Sequence, residues 1–349
     1  MAEGAERVLT QRELNRALLA RQMLLERSTL TIPRVLERMG GLQAQYAPSM
    51  YIGLWSRMEG FERGDLTRAL ERRRVVQGTL MRTTIHLVSA RDYWPFALAI
   101  RRSRREWWLQ VHEPRPDPRD LEAAARRLRK RLAGGTIRRA EIDELLGKGA
   151  VWTNGVGLWL DLLRVPPSGT WERRRADVYA AAEDWLGPPE ISVTDGSTCL
   201  VRRYLEGFGP ATQAEIAKWA ALAPKDVART LERMSLRRFR SAAGDELVDL
   251  PRLPLPDPET PAPVRLLPIW DATLLVHART KGILSEEHRP RVFNTKTPQS
   301  VSTFIVDGAV AGTWRYERGR IVTEPFVRLD RATQRELRDE SERLAALHA

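Results

Sequence analysis

Six of the thirteen residues from 251 to 263 are proline. Proline lacks a backbone N–H and its ring collides with the preceding helical turn, so this run is neither helix nor central strand and reads as an extended connector. It divides the chain. On its N-terminal side apolar residues recur at helical spacing, as in Leu14, Ala17, Leu18, Met23 and Leu24 within an amphipathic helix over residues 14–25. On its C-terminal side the pattern turns β-like over residues 265–275, 301–306, 310–316 and 321–326, with Asp307-Gly308 as a hairpin turn and a closing helix over 331–347.

The helical side repeats one theme. Thr31 as a cap, Pro33 in the first turn and Gly40-Gly41 as a stop predict a second short helix, with further helices over residues 50–58 and 66–73. Then the period changes. Val75, Val76, Thr79, Leu80 and Met81 lead into a β-rich run over 83–88, a hairpin, after which Ser89 caps a long helix reaching Trp108. Helices followed by a two-stranded hairpin form the winged-helix pattern, in which one helix enters a DNA groove and the hairpin touches the backbone or the adjacent groove. A second unit begins after Pro114, Pro116 and Pro118, with helices over 121–132 and 140–146, and a third runs to residue 250. Ala140-Glu141-Ile142 in the second echoes Ala214-Glu215-Ile216 in the third, where Thr212 and Glu215 form a capping box and Ala242-Ala243-Gly244-Asp245 suits a wing tip. The expected class is α+β: tandem winged-helix (helix-turn-helix plus β-hairpin) units at 1–112, 113–190 and 191–250, the connector at 251–263, and a C-terminal β-domain with a terminal helix at 264–349.

The 57 Lys and Arg residues against 45 Asp and Glu leave a net charge of +12. A polyanion is one reading of that excess; a solvated basic surface, or the arginine habit of a GC-rich genome, is the other. Cys199 is the one cysteine, so neither an intrachain disulfide nor a thiolate metal cage is expected. His86, His112, His277, His288 and His348 fall at no metal-ligand spacing, and the chain has no phosphate-binding glycine loop and no GxSxG elbow. The charged N-terminus has no signal-peptide core and no stretch reaches the roughly 18 apolar residues of a membrane span, which points to the cytoplasm. Trp107, Trp108, Trp152 and Trp159 read as core packing.

Gln43 and Gln45 sit two positions apart between helices, in Gly41-Leu42-Gln43-Ala44-Gln45-Tyr46-Ala47-Pro48. On an extended or turning backbone both amides reach one pocket; in the blander alternative they satisfy backbone groups at helix ends. This motif, the hairpin from Gly78 through Arg82, Thr83 and His86 to Val88, and Arg164-Val165-Pro166-Pro167-Ser168-Gly169-Thr170-Trp171 resemble the AlkZ/YcaQ family of bacterial winged-helix DNA glycosylases. So do Val201-Arg202-Arg203-Tyr204, Phe208-Gly209-Pro210-Ala211-Thr212, Asp271 and the run from Leu274 to His277, so the resemblance spans nearly the whole chain. It implies three winged helices and a C-terminal β-barrel-like domain around a basic DNA cleft. The Gln-x-Gln form is similar to the AlkZ branch, which is associated with self-resistance to genotoxic natural products. Departures from the family pattern are Thr83, usually Gly; Ile269-Trp270-Asp271, usually Glu-aromatic-Asp; and Arg279, commonly Asp.

Catalysis falls by this resemblance on Gln43 and Gln45. An N7-alkylated purine already carries positive charge, so no strong general acid is needed; two amide oxygens would hold water and stabilise an oxocarbenium-like sugar, without metal or redox cofactor. Arg82, His86, Arg279, Lys281 and Arg291 are the DNA-contact candidates, with a structural histidine beneath the wing as the alternative for His86. The expectation is a monofunctional, monomeric DNA glycosylase of the cytoplasm and nucleoid. Its partner is double-stranded DNA carrying alkylated or crosslinked purines, and no membrane is involved. The rivals are a non-catalytic winged-helix DNA-binding protein, acting as lesion sensor or transcription factor, and a protein-interaction scaffold.

Overall fold

One topology occurs three times along the chain, for which a computed structural model describes residues 7–147, 149–278, 281–293 and 300–349. First, the short strand Leu42–Gln43 precedes helices Ala47–Trp55 and Arg63–Glu71 and a hairpin of Val75–Thr79 and Ile85–Ser89. Next, Ile137–Arg138 precedes helices Arg139–Leu146 and Ala150–Leu160 and a hairpin of Leu162–Arg164 and Val178–Ala181. Last, Ala211 precedes helices Gln213–Ala220 and Pro224–Leu231 and a hairpin of Arg237–Ser241 and Glu246–Asp249. In each case the leading residues pair antiparallel with the hairpin's return strand: Gln43 with His86, Ile137 with Tyr179, Ala211 with Val248. The repeated Ala-Glu-Ile has a physical cause. Glu141 accepts the Arg138 N–H at 2.9 Å and Glu215 the Thr212 N–H at 2.8 Å, so each glutamate caps the first helix of its unit.

The first two hairpins join edge to edge through Gln77 with Arg164 and Gly78 with Leu163, making a single six-stranded sheet. Gly78 allows the approach of the helix above it, since a Cβ there would lie 2.6 Å from the Tyr93 ring. The third hairpin forms its own sheet with the parallel strand Val8–Leu9. Helix Ala90–Val111, capped by the Ser89 side chain, packs on helix Val193–Phe208. Phe96, Leu200, Tyr204, Phe208 and Trp219 are all buried in that core, each large apolar side chain contributing about 1.5–3 kcal/mol. Four helices start three residues earlier than the sequence suggested, at Gln11, Ala47, Arg63 and Pro118. At the first, Thr10 and Glu13 form a capping box, so charged residues ahead of the apolar stripe complete the opening turn.

The C-terminal part corrects one expectation. Strands Arg265–Leu267, Thr303–Val306, Ala309–Glu317 and Arg320–Pro325 form an open four-stranded sheet, and no barrel closes among the described residues. Four short strands are too few to wrap around a filled interior; helix Arg331–His348 covers the sheet instead, burying Leu337, Leu344 and Leu347 beside Leu266, Phe304 and Trp314. Residues 265–275 yield three strand residues and then a 3-10 turn at Ala272–Leu274, because Asp271 caps that turn by accepting from Thr273 N. Among the described residues no helix is long and apolar enough to cross a membrane.

Candidate active site at the Gln45 groove

Gln45 stands where the chain leaves strand Leu42–Gln43 for helix Ala47–Trp55. Ala44 N donates to Ile85 O at 2.7 Å, and Ile85 N donates to Gln45 Oε1 at 3.1 Å. The side chain thus adds one rung to the ladder after the backbone has turned away. One lone pair of its oxygen is used, and the second is open to another donor. Gln45 is exposed and borders two adjoining cavities, of about 220 and 340 Å³. They lie across the junction of the first two hairpins: Ile85 comes from the first, and Arg139, Asn154, Arg164 and Tyr179 from the second unit. Among the described residues neither lining contains a carboxylate or a lysine. Arg139 is held from behind by Asp143 at 3.1 Å and by Asn154 Oδ1 at 3.2 Å; Arg164 donates to Thr79 Oγ1 at 3.0 Å. The groove is electropositive and offers neutral amides rather than acids to a bound group.

Gln43 is placed differently. It is buried, it lines neither cavity, and its Oε1 accepts from Arg82 Nη2 at 3.3 Å. Arg82 also donates Nη1 to Trp219 O at 2.6 Å, tying the hairpin tip to the third unit. Burial pulls the Arg82 guanidinium down to about 10, which leaves it charged at neutral pH. The structure therefore brings Gln45 to the groove and Gln43 beneath the hairpin tip.

Two DNA-contact candidates lie inside the protein. His86 is 3% exposed, its Nδ1–H donates to Thr84 O at 3.1 Å, and burial followed by the Arg82 charge pushes its pKa down to about 3; it is a neutral histidine beneath the hairpin. Lys281 is 1% exposed and donates to Pro210 O at 2.6 Å with Glu215 at 3.8 Å, so its charge is spent inside the protein. Arg279 lies outside the described residues. Arg291 is exposed, stacks over Phe326 at 3.9 Å, approaches Glu324 at 3.8 Å and lines neither Gln45 cavity. Asp271, quoted in the resemblance, is buried against Arg57 at 2.9 Å. Trp107, read as core, is 46% exposed, because adjacent helical positions face different ways and Trp108 takes the inner one.

Sequence reasoning missed Arg139, Asn154, Tyr179 and the pair Arg174 and Arg175. The last two lie three and four residues after Trp171, in the run Arg173-Arg174-Arg175, so their signal was in plain view. Among the described residues no group of three or more His, Cys, Asp or Glu is placed to hold a metal.

The model of the DNA glycosylase AlkZ-like family matches residues 36–347. The solved structure of Streptomyces sahachiroi DNA glycosylase AlkZ is similar with a TM-score of 0.82 at 19% identity, over 98% of each chain. That identity speaks for the fold alone. No curated protein matches the sequence. With the family model covering nearly its whole length, the chain belongs to the AlkZ-like DNA glycosylase family.

Proposed function

We propose that the protein hydrolyses the N-glycosidic bond of N7-alkylated purines in duplex DNA, including bulky and crosslinked ones, and that Gln45 positions the water. The observation that carries this reading is an exposed amide, its oxygen half-used by Ile85 N, at a cavity rimmed by arginines and, among the described residues, free of carboxylates. In the reaction the C1′–N9 bond breaks with its electron pair going to the cationic base, which leaves neutral. Water adds its oxygen to C1′ and gives its proton to solvent. A neutral amide is too weak a base to remove that proton early. It orients the water and lowers the cost of positive charge on the sugar, an advantage that exists only as the bond breaks.

Gln43 serves as a positioning residue through Arg82, holding the hairpin tip that overhangs the groove. The lack of a lysine among the described lining residues favours a monofunctional enzyme, since no amine is at hand to form a Schiff base with C1′. The three strand–helix–helix–hairpin units act in this reading as tandem winged helices that follow the duplex. The test is single-turnover base release from a duplex carrying N7-alkylguanine or a nitrogen-mustard crosslink. Gln45→Ala should lower the rate about 100-fold while leaving affinity for an abasic-analogue duplex nearly unchanged. Unaltered release by that variant would remove Gln45 from the mechanism.

A further inference from the structure

We propose that Arg174 and Arg175, presented by the loop over residues 165–177, grip one backbone phosphate beside the nucleotide whose sugar faces Gln45. The proposal rests on the glycosylase reading for which nucleotide is meant, and on geometry for the grip itself.

The loop is built to hold its shape. Ser168 Oγ donates to Val165 O at 3.1 Å and accepts Val178 N at 3.0 Å, pinning both ends to the hairpin. Thr170 Oγ1 donates to Pro167 O at 3.0 Å and accepts Arg173 N at 3.2 Å. Gln77 Nε2 donates to Gly169 O at 2.9 Å, and Gly169 N donates to Arg175 O at 3.2 Å. Gly169 has a φ of +72°, and a Cβ there would sit 3.0 Å from Gln77 Oε1, so only glycine lets the turn close this tightly. Trp171 is buried with its ring edge-on to Tyr51 at 5.6 Å. A loop held this way spends little conformational freedom on binding.

What it presents is net positive charge, Arg173, Arg174 and Arg175 against Glu172 and Asp177. Arg173 is engaged by Asp177 at 3.5 Å, but Arg175 is 84% exposed with Asp177 no nearer than 3.9 Å. Arg174 donates Nη1 to the Tyr46 hydroxyl at 3.1 Å and lies 6.0 Å over that ring, which fixes the direction of its fork. Tyr46 is the residue after Gln45, so a single peptide links the held arginine to the water-positioning amide. Both arginines line the 340 Å³ cavity together with Gln45, Arg139 and Arg164, and no carboxylate among the described residues shares that lining. Two arginines lining one open space can offer their guanidinium forks to the non-bridging oxygens of a phosphodiester.

The test uses the full chain and a fluorescent duplex bearing a tetrahydrofuran abasic analogue, read by anisotropy across a salt series. Arg174→Gln and Arg175→Gln should each weaken binding about three- to tenfold and flatten the log–log salt slope by about one. Arg335→Gln, an equal charge loss at an exposed site on the terminal helix, should do neither. Replacing single phosphates near the analogue by neutral methylphosphonates then locates the grip. One position should weaken the wild type, and the same position should leave the two arginine variants indifferent. If the variants respond to every methylphosphonate as the wild type does, or if Arg335→Gln weakens binding equally, there is no specific grip. Base release is scored separately: should no release occur from any alkylated duplex while the methylphosphonate pattern holds, the hydrolase reading fails and the phosphate grip stands.

Discussion

Beneath the first hairpin His86 is closed off from solvent and faces the Arg82 guanidinium, and both effects favour the neutral ring. Its pKa falls from the ordinary 6.5 to about 3. Between those two values the unfolded chain binds a proton at this position and the folded chain does not, so stability rises with pH through the window and is lost as pH falls. At about pH 4.5 the loss from this one group is about 2–3 kcal/mol. Denaturant titrations at pH 7 and about pH 4.5 measure it. His86→Asn, which retains a donor near the Nδ1 position, should show a smaller drop than the wild type, and equal drops would assign the acid sensitivity elsewhere. Nothing in the local sequence separates this histidine from one that touches DNA. Resemblance places a residue in the chain, whereas the protonation state comes from what other segments pack around it. Lys281 makes the same point, because Glu215 and Pro210 O come to it from the third unit.

At the scale of the element, the tip of the first hairpin carries two consecutive left-handed residues, Arg82 with φ 53° and Thr83 with φ 59°. A β-branched residue pays there for contact between its side chain and backbone, while Arg82 is compensated by Trp219 O and Gln43 Oε1. Thr83→Gly should therefore raise stability by about 0.5–1 kcal/mol, relief of strain outweighing the freedom gained by the unfolded chain. An unchanged or lower midpoint in urea would mean that Thr83 is not strained. The hairpin itself was legible in the alternation from Val75 to Val88, as were the Ser89 cap, the Thr212–Glu215 capping box and the Asp307-Gly308 turn, because each is settled by residues a few positions apart. The pairing of Gly78 with Leu163 was not: it joins residues 85 positions apart, and two hairpin edges carry no mark of which edge they will meet. The Gln45 cavities lie on that junction. Gln45 was thus readable as a candidate while its neighbours Arg139, Asn154 and Tyr179 were not.

For the molecule as a whole, the run of prolines suggests two bodies on a tether, and the N-terminal helix Gln11–Arg21 removes the slack. A proline-rich segment has few N–H groups to satisfy its own carbonyls, and arginines supply the donors: Arg12 to Pro258 O at 2.8 Å, Arg16 to Thr260 O at 2.7 Å and Arg21 to Pro254 O at 3.4 Å. The same three side chains reach past the segment. Arg16, fully buried, pairs with Asp307 in the C-terminal hairpin turn, and Arg21 pairs with Asp249 at 2.7 Å where the third hairpin ends. Just beyond the helix, Arg27 holds Glu340 of the terminal helix at 2.8 Å. With one helix bound to the connector, the third unit and the C-terminal sheet, none of these loses its partners alone, and calorimetry should record one transition for the whole chain. Arg21→Met tests the coupling, for it leaves the buried Asp249 with Arg237 as its charge partner. Breaking a buried pair costs about 3–5 kcal/mol, and the remaining arginine reduces this to about 2–4 kcal/mol. That cost should shift the entire transition downward without splitting it, because the stability lost at Asp249 belongs equally to the segments the helix holds together. Two separate transitions in the wild type, with one of them untouched by Arg21→Met, would mean that the arginines bind the segments too weakly to make them unfold as one.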